Sequence, residues 1–224
     1  MGDFAVHVSQ AKHNESLAEF LLDKPYFDWS ITACFYSAIH YVEARLFIEF
    51  VESDKKHSET SIPVDDKGEW LVTPHRWRER LIQNHFSKSV WKSFRNIKEA
   101  SELARYLSYF PNKQASFKDV PSFKLFEFEN AQFSLDIDLE NIKRDLRIEL
   151  CEFLYSLEME KTDPIRANLI INKILSNFST KEEVLQLGKT SFKKQQYLNK
   201  EELIFLKQHL ENKGLSLSSD TDKT

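Results

Sequence analysis

Glycine occurs only four times in the 224 residues, and cysteine and methionine twice each. So few glycines leave no Walker-type phosphate loop and no GxGxxG fingerprint, which argues against the common nucleotide-binding α/β designs. The two cysteines, Cys34 and Cys151, stand alone in apolar surroundings, so neither a disulfide framework nor a thiolate metal site is expected. HExxH and CxxC patterns are missing too, and no metal or cofactor is expected. There is no uninterrupted bilayer-length apolar run. The longest apolar stretch, residues 26–52, is broken by Asp28, His40, Glu43 and Arg45. The N-terminal MGDFAVHV has no basic start, apolar run or acylation signal, so the expected location is cytoplasmic, with no membrane partner. Strand-like alternation is nearly absent.

What is present is Leu, Glu, Lys and an unusual eighteen Phe, a composition that favours an all-α protein. Residues 26–52 form its centre. At helical spacing Trp29, Ala33, Tyr36 and Phe50 fall on one stripe, and Ile31, Phe35, Ala38, Val42 and Leu46 on another. Apolar residues therefore surround most of this helix, which predicts packing on several sides. His40 lies in its middle, either hydrogen-bonded in the core or facing a cleft. A first helix is expected over 3–23, and Asp28 suits the cap or first turn of the central one. Residues 53–72 read as a loop. Thr73-Pro74 is a strong start signal for a helix to about Phe86, and Ser87 suits the cap of another, from about 89 to 109. Residues 111–131 read as an extended pair or a packed loop. Helices follow over about 136–160, 164–178, 180–188 and 199–213. The expected division is a bundle of residues 1–160, a helical extension 163–213 and a disordered tail 214–224.

Charge is distributed unevenly. The whole chain carries −4, yet Pro74–Tyr106 holds eight basic and three acidic residues. Such a basic region is either an anion site or a set of solvated helix faces. His75 and Arg78 share one face at the start of the 74–86 helix, where free N–H groups and the helix dipole favour phosphate. Arg105, Tyr106 and His40 are candidates for the same cleft, with Arg76, Lys88, Lys92 and Arg95 as further nucleic-acid contacts. Arg105 has an alternative role as an ion-pair partner of Glu102.

Four segments in order, AKHNESLAEFLL (11–22), DWSITACFYSAIHYVEARL (28–46), HRWRERLI (75–82) and SELARYL (101–107), resemble the HEPN superfamily. The likeness spans the first 110 to 160 residues, and DW…FYSAIHYVEA is its most specific part. It implies an HEPN-like helical bundle, and many such domains are metal-independent ribonucleases of defence and toxin–antitoxin systems. Their Arg-x(4–6)-His motif is met by Arg80 with His85, four residues intervening, and by Arg78 with His85, six intervening. Histidine supplies a proton-transfer group near neutral pH and arginine a fixed charge for the phosphorane, so Arg80, His85, Arg78 and His75 are the implied catalytic set. The resemblance also implies RNA as ligand and a homodimer. The alternative is a non-catalytic HEPN-like subunit that binds a partner protein or nucleotide. Residues 163–213 are amphipathic and either pack on the chain or receive a regulatory partner.

Overall fold

The computed structural model describes residues 4–49, 62–106, 121–188 and 197–217, and it is all-α. Among these residues no strand forms; a single antiparallel bridge joins Val64 to Trp70. Among the described residues no helix is long and apolar enough to cross a membrane. The described residues group into two compact units: 4–47 with 62–146, and 48–49 with 147–188 and 197–217. The grouping therefore divides at Leu146–Arg147, whereas the sequence reading draws its line at 160–163.

The first unit opens with α1 (Phe4–Leu22) and α2 (Phe27–Glu49). They run antiparallel, and small residues set how closely they approach. The Ser30 hydroxyl donates to the Ala18 carbonyl at 2.8 Å, and the Ser37 hydroxyl to the Ala11 carbonyl at 2.9 Å. The step of seven from Ser30 to Ser37 matches the step of seven from Ala18 back to Ala11, so one register holds along the interface. A side chain can bond a helical carbonyl of its neighbour only where neither helix interposes a large group, and Ala11 and Ala18 are fully buried. Between Asp28 and Glu49 only Trp29 and Tyr36 are exposed, as the nearly continuous apolar circumference predicts. Asp28 proves to be a first-turn acid: it accepts from the Trp29 amide at 2.9 Å and from the Ser122 hydroxyl at 2.8 Å. His40 faces α1, where its Nδ1 lies 3.1 Å from Nδ1 of His7.

Residues 62–72 hold a tight turn. Asp65 accepts from the Lys67 and Glu69 amides, and Gly68 takes φ +79°, a left-handed value that glycine adopts without strain. The expected end of this loop at Thr73-Pro74 is observed. Thr73 caps α3 (Pro74–His85), accepting from the Arg76 amide at 3.4 Å. Ser87 likewise accepts from the Val90 amide at the start of α4 (Lys88–Tyr106). Leu81, Ile82, Val90, Phe94 and Ile97 point inward, while Trp77 and Trp91 are only half-buried.

The helix expected from 136 starts earlier and takes an unforeseen turn. After a 3-10 turn at Ser122–Lys124, α5 (Phe128–Phe133) continues through a π-helical turn, Ser134–Leu139, into α6 (Glu140–Asp145). The wider turn brings Ser134, Leu135, Asp138 and Leu139 all inward. The Cys34 thiol donates to the Ser134 carbonyl, and Asn96 donates to Asp138 at 3.3 Å.

The second unit contains α7 (Ile148–Ser156), α8 (Met159–Thr162), α9 (Pro164–Asn177), α10 (Lys181–Leu185) and α11 (Lys200–Asn212). The expected single helix to residue 160 is thus broken twice, at Arg147 (φ 56°) and Glu158 (φ 57°). Both residues are left-handed, a conformation that stops helix propagation. Asp163 caps α9, Thr180 and Asn199 form capping boxes with Glu183 and Glu202, and Gly214 (φ 69°) follows the end of α11. Ala167, Ile170, Ile171, Ile174, Leu206 and Leu210 make a local core, while Ile165 and Ile204 stay exposed. The expected helix end at about 109, most of the expected loop 53–72 before residue 62, residues 111–120 and the tail from 218 lie outside the described residues.

Candidate anion-binding cleft between α3 and α4

The first turn of α3 and the last turns of α4 enclose an open cleft of about 450 Å3, with Phe35 of α2 at its base. Thr73, His75, Arg76 and Glu79 line one side, and Lys98, Glu102, Arg105 and Tyr106 the other. Helical spacing accounts for the set. His75, Arg76 and Glu79 lie within the first turns of α3, and Lys98, Glu102 and Arg105 share one face of α4 at i, i+4 and i+7.

The charges do not simply cancel. Lys98 bridges the helices, 3.1 Å from Glu79 and 3.0 Å from Glu102. Burial works against its charge, but the two carboxylates outweigh burial and hold its pKa above the usual lysine value. Glu102 is thereby committed to Lys98 and does not pair with Arg105, as the sequence allowed. Arg105 is held by neutral groups. Its Nε donates to the Ser101 carbonyl at 3.2 Å and its Nη1 to the Tyr36 hydroxyl at 3.3 Å. Its guanidinium lies 5.6 Å from the Phe35 ring centroid, 5.8 Å from Tyr36 and 5.0 Å from Tyr106. No carboxylate among the described residues forms an ion pair with Arg105 or Arg76.

His75 is solvent-accessible but partly covered, its ring stacked on Phe35 at 6.4 Å. Partial burial, then the positive charges of Arg78, Arg105 and Lys98, lower its pKa, with Glu102 opposing them. Behind it Arg78 is only 6% exposed, and its Nε donates to Glu43 of α2, itself 2% exposed. Arg78 is therefore a buried half of an ion pair, with an Nη1 edge 3.4 Å from His75 Nδ1.

The structure brings His75, Arg76, Arg78, Arg105 and Tyr106 together. It places the other candidates elsewhere. Arg80 and His85 are both exposed but are five residues apart, about 140° around α3, and neither lines the cleft. Lys88 and Lys92 lie exposed on α4, and Arg95 pairs with Glu99 at 2.7 Å. His40 is with His7 instead. Sequence reasoning passed over Phe35, Tyr36, Glu43, Glu79 and Glu102 as site residues and counted Lys98 only as part of the basic region. An acid inside an apolar helix, Glu43, was the available signal for a buried cation. Among the described residues no group of three His, Cys, Asp or Glu side chains is placed to hold a metal ion.

The fold and the cleft define an all-α protein with a mixed-charge, aromatic-lined pocket. No protein-family model, curated protein or solved structure matches the chain.

Proposed function

We propose that the first unit is an HEPN-like RNA-binding domain whose α3–α4 cleft receives an RNA phosphodiester. Arg105 carries this reading. A guanidinium braced by a hydroxyl, a carbonyl and three rings, with no acidic partner among the described residues, is pre-organised for an anionic oxygen. Arg76 and the positive end of the α3 dipole add favourable charge on the facing wall. Tyr106 and Tyr36, 60% and 40% exposed, offer ring faces on which unpaired bases stack. The resemblance supplies the setting, a homodimer of a defence or toxin–antitoxin system, and the amphipathic residues 163–213 would receive a regulatory partner.

The divergence of Arg80 and His85 around α3 favours the second reading, a non-catalytic subunit that binds a partner protein or a nucleotide. Anisotropy of a fluorescent single-stranded RNA with the full chain tests the first proposal. Binding that weakens with salt, and that Arg105→Met weakens further, is the expected result. No binding by the unaltered chain, or equal binding by Arg105→Met, overturns it. Incubating the same RNA in EDTA with the unaltered chain, Arg80→Ala and His85→Ala separates the two readings. Cleavage that both variants lose establishes a metal-independent nuclease, and intact RNA throughout supports the binding subunit.

A further inference from the structure

His75 Nδ1 lies 3.4 Å from Arg78 Nη1. A guanidinium has N–H donors and no acceptor, so the imidazole must present a lone pair at Nδ1. A neutral imidazole with its lone pair there carries its proton on Nε2. Arg78 is not at liberty to turn away, since it is buried and its Nε donates to the equally buried Glu43. The ring of His75 is steadied in turn by Phe35, whose plane is 30° from its own. Arg78 and Arg105 surround the imidazole with Lys98, and Glu102 is the acid facing it from α4.

We propose that the Glu43–Arg78 pair locks His75 as the Nε2–H tautomer, so that His75 offers the cleft a neutral N–H donor for an anionic oxygen and does not act as a general base. Arg78 is then a positioning residue. Its charge is spent on Glu43, and its effect on a ligand passes through the orientation of His75. The same lock explains how a histidine among cations contributes to anion binding without carrying charge: it hydrogen-bonds the oxygen that Arg105 attracts. The ligand half of this inference rests on the phosphate reading above, whereas the tautomer stands on the geometry alone.

Long-range 1H–15N correlation NMR on the 15N-labelled full chain at pH 7.5 reads the tautomer directly. The expected result is a single His75 form, protonated on Nε2. In the neutral double variant Glu43→Gln/Arg78→Met, whose fold the same spectra report, the lock is lost and both tautomers appear. A His75 protonated on Nδ1, or in exchange between tautomers in the unaltered chain, overturns the proposal, as does an unchanged lock in the double variant. RNA anisotropy then tests the donor role. His75→Gln, whose side-chain N–H stands in for Nε2–H, weakens binding several-fold less than His75→Leu, which loses about tenfold, the worth of roughly one hydrogen bond. Equal losses in the two variants overturn the donor role. Absence of RNA binding by the unaltered chain overturns the phosphate reading alone, because the NMR result decides the tautomer by itself.

Discussion

The Arg105 guanidinium donates to the Tyr36 hydroxyl at 3.3 Å and lies 5.0 Å from the Tyr106 ring. The cation and the exposed rings thus form one surface, in which a phosphate and its neighbouring base would be recognised side by side. Tyr106 is 60% exposed and supports little of the core. Tyr106→Ala should therefore leave the unfolding midpoint in place while weakening single-stranded RNA by about 1–3 kcal/mol, the usual value of one stacked base. A base-paired duplex of the same sequence cannot offer its ring faces, so its weaker binding should be unaffected by the substitution. Anisotropy titrations with both RNAs check this, and an equal loss on the two would refute the stacking role.

Glu43 and Arg78 illustrate how unequal single and double substitutions of a buried pair become. Both are nearly inaccessible, so Glu43→Ala leaves an uncompensated guanidinium and should cost about 3–5 kcal/mol of stability. Glu43→Leu combined with Arg78→Leu removes both charges and should recover much of that loss. Urea unfolding followed by circular dichroism measures both. If the double variant is as unstable as the single one, packing and not charge governs the position.

The close approach of α1 and α2 makes its small residues intolerant of size. Ser37→Ala removes one cross-helix hydroxyl bond and should cost about 1 kcal/mol. Ala11→Leu must force the helices apart and should cost about 1–3 kcal/mol or more, although leucine is the more apolar residue. The order of the two variants in a thermal melt is the test. A more stable Ala11→Leu would mean that the interface is looser than the hydroxyl bonds imply.

Much of this fold was legible because its signals are local. Thr73-Pro74, Asp163-Pro164 and Asn199 cap the helices that their own side chains begin, and the stripe Ile31, Phe35, Ala38, Val42 and Leu46 is buried as its spacing predicts. The breaks at Arg147 and Glu158 were hidden, since neither residue type signals a left-handed backbone. The π-helical turn at Ser134–Leu139 was hidden too, because its reason lies in what surrounds it. In the cleft, His75, Arg76, Arg105 and Tyr106 could be named from a basic stretch with aromatic company. What could not be read was which cation each acid neutralises. Lys98 takes Glu79 and Glu102, and Glu43 takes Arg78 from 35 residues away, and these pairings leave Arg105 without an acid among the described residues. Which of the eight cations are matched with an acid is decided by tertiary contacts, and a sequence shows only the eight.

Two groups in the first unit titrate in opposite senses, and together they shape stability at acid pH. The pKa of His75 is lowered by partial burial and by Arg78, Arg105 and Lys98. The unfolded chain therefore binds this proton more readily than the folded one. The His75 contribution is complete above the ordinary histidine value of about 6.5 and is lost as pH falls through the lower folded value. Asp138 is the reverse case, a carboxyl on the π-helical turn whose pKa burial raises, against hydrogen bonds from Ser93 and Asn96 and the charge of Lys92. Here the folded state holds the proton more tightly, so this term grows more favourable as pH falls from above the folded value toward about 3.9. Stability should thus fall from pH 7 toward pH 5.5 with a His75 component. His75→Leu removes that component and flattens this part of the curve, whereas Asp138→Asn leaves it in place and alters only the more acidic part. Urea midpoints measured across pH 4 to 8 for the three proteins decide the matter. An unaltered slope between pH 7 and pH 5.5 in His75→Leu would show that burial and the cations around the cleft do not lower the proton affinity of this histidine.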